Sequence, residues 1–326
     1  MILHLYGRVH ENLLKHDVRY PSSDRLLQLV CRSNPQDGPE HVGEGQDTEG
    51  SEWIITCADR KDERPLWILV WGGTTDLAQA LWKVRHTRGP EEYARFKSRL
   101  RIYAIGDQYA MGSRVREENP DQFYIVSRHS FRGMYKDGDP SLVSCRWVDQ
   151  HLRSGHGPLG AAYPMYDGGD PWGSVRGVKE GDTPSLLYLI RNGLGDPEHP
   201  EWGSWGGRFV RTRGNCYEDA EDCYDGAASV RATMYRWREA YQNDFQARMD
   251  WCTGSYEKCN HAPVARGDIG GVKAFRPGDP VRLDASASSD PDGDELSFRW
   301  EIYREAGTYP GEIWSSLRRR YWNNRV

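Results

Sequence analysis

Apolar and polar positions alternate with different periods along this chain, and the changes of period mark out its elements. Leu66-Trp67-Ile68-Leu69-Val70-Trp71 is a continuous apolar run, as expected of a strand covered on both faces. Gly72-Gly73-Thr74-Thr75 then turns the chain. Asp76 is placed to cap a helix through Val84, with Gln79 completing a capping box. Gly89-Pro90-Glu91-Glu92 opens another helix, with proline in the first turn and the acids at its positive end. Further strands are predicted at Arg101 to Ile105 and Phe123 to Val126, separated by the loop Gly106-Asp107-Gln108 and a short helix near Arg114 to Glu118. Strands alternating with helices predict an α/β fold: a Rossmann-like parallel sheet with helices on both faces.

Upstream, residues 1–30 read as two helical pieces broken at Tyr20-Pro21-Ser22-Ser23. Ser22 or Ser23 caps the second piece, which carries Leu26, Leu27 and Val30. A loop over 34–50 precedes a helix predicted from Ser51 to Ala58. Downstream, 128–178 is irregular and glycine-rich. Gly181-Asp182-Thr183-Pro184-Ser185 leads into a short helix over Leu186 to Ile190, with Asp182 or Thr183 as its cap. A glycine- and tryptophan-rich loop over 195–207 and a helix over 229–250 follow. Composition shifts at Asn260-His261-Ala262-Pro263, which divides the chain into domains at 1–260 and 261–326. Beyond it, Val281 to Asp284 and Leu296 to Trp300 flank a Ser/Asp/Gly loop and predict antiparallel strands.

Charge and composition narrow the partners. A net charge of −5 and a pI near 6.1 leave no basic surplus to neutralise a nucleic acid polymer. Arg318-Arg319-Arg320 reads as a solvated tail. No apolar run reaches the roughly 20 residues that cross a bilayer. The 13 Trp, 18 Tyr and 35 Gly suit stacking against sugar rings, and equally an aromatic core. Cys216 and Cys223 share the spacing of Cys252 and Cys259; two disulfides and free thiols both remain open.

Open parallel sheets bind ligands beyond the carboxyl ends of their strands. Gly72, Gly73, Thr75, Asp76 and Asp107 occupy such positions and are the candidate substrate-binding residues. No Walker phosphate loop, strand-end GxGxxG or GxSxG nucleophile elbow is present. The carboxylates Glu44, Asp47, Glu49, Asp76, Asp107, Glu180 and Asp182 are the oxygen donors that a calcium ion would use, although Asp182 serves equally as a helix cap and Asp47 as solvated loop charge.

Three segments together carry a resemblance: Gly43-Glu44-Gly45-Gln46-Asp47-Thr48-Glu49-Gly50-Ser51, Trp71-Gly72-Gly73-Thr74-Thr75-Asp76-Leu77-Ala78, and Glu180-Gly181-Asp182-Thr183-Pro184-Ser185-Leu186-Leu187. Asp196-Pro197-Glu198-His199-Pro200-Glu201-Trp202-Gly203 and Trp205-Gly206-Gly207-Arg208 extend it. The pattern resembles the secreted, cellulose-binding, nucleoside hydrolase-like family and covers most of residues 1–260. The resemblance implies an extracellular protein handling a sugar-containing small molecule or polysaccharide, related to calcium-dependent N-ribosyl hydrolases. Asp182 falls where those hydrolases place a late calcium-ligating aspartate, with Gly181 replacing the histidine that usually precedes it. The family opens on a strand bearing an aspartate cluster, and no such pattern precedes His16. The implied chain is therefore shortened and catalytically inactive, its catalytic residues unassigned. Asp284 to Gly311 resembles part of the family's immunoglobulin-like module, which needs about 90–100 residues as a full β-sandwich. The alternative implied function is noncatalytic cellulose or carbohydrate binding, with Trp172, Trp202 and Trp205 as stacking platforms.

Overall fold

Leu66–Val70 forms β1, Leu100–Ile105 forms β2 and Tyr124–Ser127 forms β3 in a computed structural model that describes residues 1–169, 174–267, 275–276, 278–279 and 281–309. The three strands pair in parallel, with Ile68 opposite Ile102 and Ile102 opposite Tyr124. Both faces are covered, as the unbroken apolar runs require. Ile102, Ala104, Tyr124 and Val126 pack on one side against Ile55, Leu77, Leu81, Val84, Met111 and Val115. Tyr103, Ile105, Phe123 and Ile125 point the other way, into Phe131, Tyr188 and Phe209.

Before the sheet, α1 (Ile2–His16) and α2 (Ser23–Leu27) confirm the break around Pro21, and the Arg25 amide donates to the Ser22 hydroxyl at 3.2 Å. Val9 and Leu13, one turn apart, bury α1 against Trp147, Val148, Leu152, Met249 and Trp251. The next helix, α3 (Glu49–Ala58), begins two residues earlier than its apolar pattern suggested. Thr48 caps it: its Oγ accepts from the Ser51 amide at 2.9 Å, and its own amide donates to Ser51 Oγ at 3.0 Å.

A further expectation needs correcting at α4 (Thr75–Thr87), whose cap position is Thr74. Asp76 lies inside the first turn and accepts from Thr48 Oγ1 at 2.7 Å and the Asn34 amide at 3.2 Å. Buried Gln79 does not close a capping box. Its amide nitrogen donates to Gly43 O at 2.9 Å and Asp47 Oδ1 at 2.7 Å, and its oxygen accepts from the Gly43 amide at 2.8 Å. Long-range partners in the preceding loop have displaced the local cap. Lys83 adds ion pairs to Asp47, at 2.6 Å, and to Glu52, so residues 34–48 form a strap tied across α4.

α5 (Pro90–Arg99) starts at its proline with Glu91 and Glu92 in the first turn, as expected. α6 (Ala110–Glu118) starts four residues before the predicted Arg114. Asp37 from the strap accounts for this, because its carboxylate accepts from the Ala110 and Met111 amides at 3.1 and 3.4 Å.

The segment expected to be irregular holds α7 (Cys145–Val148), α8 (Gly157–Ala161) and a hairpin of β4 (Tyr166–Asp167) and β5 (Arg176–Gly177). α9 (Thr183–Leu187) follows, ending earlier than expected. β6 (Phe209–Arg211) and β7 (Cys216–Asp219) then complete the sheet, in the order β1-β2-β3-β7-β6. β7 is parallel to β3, and β6 is antiparallel at the edge. A small hairpin of β8 (Asp222–Tyr224) and β9 (Ala227–Ser229) leads to α10 (Ala232–Tyr235) and α11 (Arg238–Asp250). The single helix predicted over 229–250 is thus broken at Arg236-Trp237. Arg236 reaches the buried Asp222 carboxylate at 2.9 Å. Arg238, 1 % exposed, turns instead to the carbonyls of Gly133, Lys136, Asp137 and Asp139.

Residues 1–261 and 262–326 form separate compact units. In the second, the described residues contribute one antiparallel bridge, Val264 to Ser289, and no strand. The strands expected at 281–284 and 296–300 are not formed there, and Val281, Leu283, Phe298 and Trp300 stay 39–54 % exposed, so no sheet face is buried. Asp290 accepts from the Asp292 and Asp294 amides at 2.8 and 3.3 Å, which makes its loop a side-chain-capped turn. None of the seven cysteines is in a disulfide in this structure. Arg318 to Arg320 and Trp172 lie outside the described residues.

Replacing Thr48 by alanine removes the α3 cap and one of the two ties to Asp76. The expected loss of stability is about 1–2 kcal/mol, measured by urea denaturation. A loss below the error of that measurement would show that the strap does not support the domain.

Candidate functional site

The parallel pairing brings the turns after β1, β2 and β3 to one end of the sheet. Trp71 follows β1 there and is 53 % exposed. Its indole N–H donates to Ser185 Oγ at 2.8 Å, and Ser185 Oγ donates to the Asp182 carbonyl at 2.8 Å. The end of β1 is thereby tied to the start of α9. The Gly72-Gly73 turn is open. A Cβ on Gly72 would meet no atom within 4 Å, and one on Gly73 would come only to the Tyr109 ring, at 4.0 Å. Tyr109 is 48 % exposed. Two exposed aromatic rings therefore stand beside a turn whose backbone a ligand can approach closely.

Asp182 is half-buried, and its carboxylate has no hydrogen-bond or ion-pair partner among the described residues. Burial alone pushes its pKa above the usual aspartate value. Although it occupies the cap position of α9, its side chain does not cap, contrary to the expected structural role. Only its carbonyl is engaged, by the Ser185 amide at 3.1 Å and the Ser185 hydroxyl. Neighbouring Glu180 is fully occupied, accepting from the hydroxyls of Tyr163 and Thr183.

The other predicted residues are placed differently. Thr75 is buried and donates to Gln36 O at 2.6 Å, and Asp76 anchors the strap. Asp107 has a left-handed backbone, φ 45°, and its side chain is 2 % exposed. Arg116 grips both its oxygens at 2.7 Å, and Arg128 stands 3.5 Å away. The approach depends on Gly112, where a Cβ would sit 2.2 Å from Asp107 Oδ1. Asp107 thus braces the strand end through α6, with its carboxylate already satisfied. Trp202 is half-buried and stacked on His199 at 4.0 Å. Trp205 is also half-buried and packs against Met134, Leu187, Met234 and Tyr241. No hydrogen bond or ring contact ties Trp202 or Trp205 to the Gly72-Gly73 turn among the described residues. Trp71, Tyr109 and Ser185 are what sequence reasoning missed. The available signal was a tryptophan closing an apolar strand directly before Gly-Gly, which places it at the carboxyl end.

The residues present do not by themselves fit a calcium ion. Among the described residues no group of three or more His, Cys, Asp or Glu side chains is placed to hold a metal. Asp182 offers one carboxylate where calcium takes about six to eight oxygens; Asp47, Asp76, Asp107, Glu49 and Glu180 are committed to protein partners.

Residues 1–209 match the family model described as the nucleoside hydrolase-like domain of cellulose-binding Sde182. This chain belongs to that family. Residues 280–319 match the C-terminal domain of cellulose-binding protein Sde0182. A solved structure of a nucleoside hydrolase-related hypothetical protein from Saccharophagus degradans, associated with carbohydrate metabolism, is similar at a TM-score of 0.76 and 35 % identity, over 95 % of this chain and 75 % of that one. No curated protein matches the chain. The α/β fold with a mostly parallel central sheet is thus that of a nucleoside hydrolase-like protein. No helix among the described residues is long and apolar enough to cross a membrane.

A carboxyl whose folded pKa is raised costs stability when ionised. That cost grows as pH rises from the unfolded value, about 3.9, through the folded one, and is constant above it. Asp182→Asn is therefore expected to melt at a higher temperature than the parent at pH 7, with the difference closing below about pH 4. An unchanged melting temperature at pH 7 would mean that Asp182 is better solvated or partnered than its surroundings indicate.

Proposed function

We propose that this protein binds a carbohydrate, with cellulose-type glucan as the favoured ligand, at the carboxyl end of its parallel sheet and without cleaving it. The observation that carries the reading is Trp71: an exposed ring on a rigid strand end, its polar N–H held from behind, next to an open glycine turn and Tyr109. Sugars present an apolar ring face and a hydroxyl rim. An aromatic ring meets the first, and an unpartnered carboxylate such as Asp182 can accept hydrogen bonds from the second. The cellulose-binding description of the family supports a polysaccharide, and with it a place outside the cell.

Calcium-dependent N-ribosyl hydrolysis is the second reading. It is favoured by the nucleoside hydrolase-like fold and by the uncommitted carboxylate of Asp182. The donor set argues for binding over turnover, because among the described residues no group of three or more His, Cys, Asp or Glu side chains is placed to hold the metal that would activate water.

Trp71→Ala is expected to weaken binding of cellohexaose by about tenfold or more, the effect of losing a central aromatic contact, while Trp202→Ala leaves it within about twofold. Isothermal titration calorimetry reads both. Equal losses at the two positions would move the binding surface away from the strand ends. Purine, pyrimidine and nitrophenyl ribosides are expected to give no product with or without calcium. Calcium-dependent release that disappears in Asp182→Ala would replace the binding reading with the hydrolase one.

A further inference from the structure

We infer that Ser185 is a positioning residue for the carbohydrate site: its buried hydroxyl fixes the Trp71 ring and joins it to the backbone of Asp182, so that stacking face and carboxylate are presented as one unit. The inference rests on the binding reading above. An indole N–H on a ring 53 % exposed would ordinarily be left to water, which leaves the ring free to change rotamer. Here it is spent on a hydroxyl that is 0 % exposed. A hydroxyl has one proton, and at Ser185 it goes to the Asp182 carbonyl at 2.8 Å. The oxygen is therefore the acceptor towards Trp71, and the direction of the chain is settled: indole to hydroxyl to carbonyl.

Ser185 cannot touch a ligand, being enclosed, so any effect it has on binding passes through Trp71 and Asp182. A platform already held in one orientation loses less conformational freedom when a sugar ring settles on it. The tether also explains why a five-residue helix carries Asp182 to this position, since the Ser185 amide and hydroxyl both close on its carbonyl.

The test uses the full chain and three variants, Ser185→Ala, Trp71→Phe and the pair combined. In the ligand-free protein, the Trp71 indole proton, assigned in a 15N spectrum by its absence from Trp71→Phe, is expected to exchange slowly with deuterium, and quickly in Ser185→Ala. By calorimetry with cellohexaose, Ser185→Ala is expected to weaken binding about fivefold, the worth of one hydrogen bond, and to add nothing further in the Trp71→Phe background. An indole proton that exchanges freely in the parent protein would overturn the tether. Losses that add independently would overturn the positioning role, because a general structural defect acts equally in both backgrounds. If the parent protein binds no glucan, the binding reading fails and with it the positioning role, while the exchange measurement still decides whether the tether exists.

Discussion

Parallel strands cannot be joined by tight turns. Each crossover must travel the length of the sheet again, and the helices that do so cover its faces. That constraint organises the first unit. It accounts for the unbroken apolar strands, for the two opposed side-chain layers through Ile102 and Tyr103, and for the gathering of every strand-to-helix turn of β1–β3 at one end. The turn after β1 is the one left open, and it carries glycines where its neighbours carry ion-paired or capped side chains.

Around this frame, polar residues are used for long-range ties more than for local ones. The strap over 34–48 takes up Asp76 and Gln79 from α4, lends Asp37 to α6 and shares Thr48 with α3. This is why reading from the sequence found these helices but put the α4 cap on Asp76 and started α3 and α6 too late. Apolar runs report burial directly, and the core followed them at β1, β2 and β3. A carboxylate near a helix start reports only that a donor must be satisfied, and the satisfying partner can lie thirty residues away. The second unit exposes the opposite weakness. The alternation at 281–284 is real, but alternation predicts a strand only where another layer receives its apolar face, and those side chains remain exposed.

The site was legible to the same depth. The principle that parallel sheets bind ligands at carboxyl ends points to the end of the sheet where the motifs around Gly72 and Asp182 fall together through the contact between Trp71 and Ser185. Which side chains stay open to solvent at that end was not legible. Asp107 and Thr75 lie at strand ends, as expected, yet their polar groups are already bonded inward. Trp71 read as the last residue of a buried strand because side-chain exposure at a strand terminus depends on what packs beyond it.

Arg238 introduces a different kind of robustness. Its guanidinium is bonded to four carbonyls of one turn, with no carboxylate among its hydrogen-bond partners in the described residues. At 1 % exposure it is shielded from dissolved ions. The strap relies instead on partly exposed pairs such as Lys83 with Asp47. At about 1 M salt the screening length falls to about 3 Å, which weakens those pairs and leaves Arg238 untouched. Two regions of the same unit therefore respond differently to ionic strength: the ion pairs of the strap weaken in brine, whereas the Arg238 contacts to the 133–139 carbonyls do not.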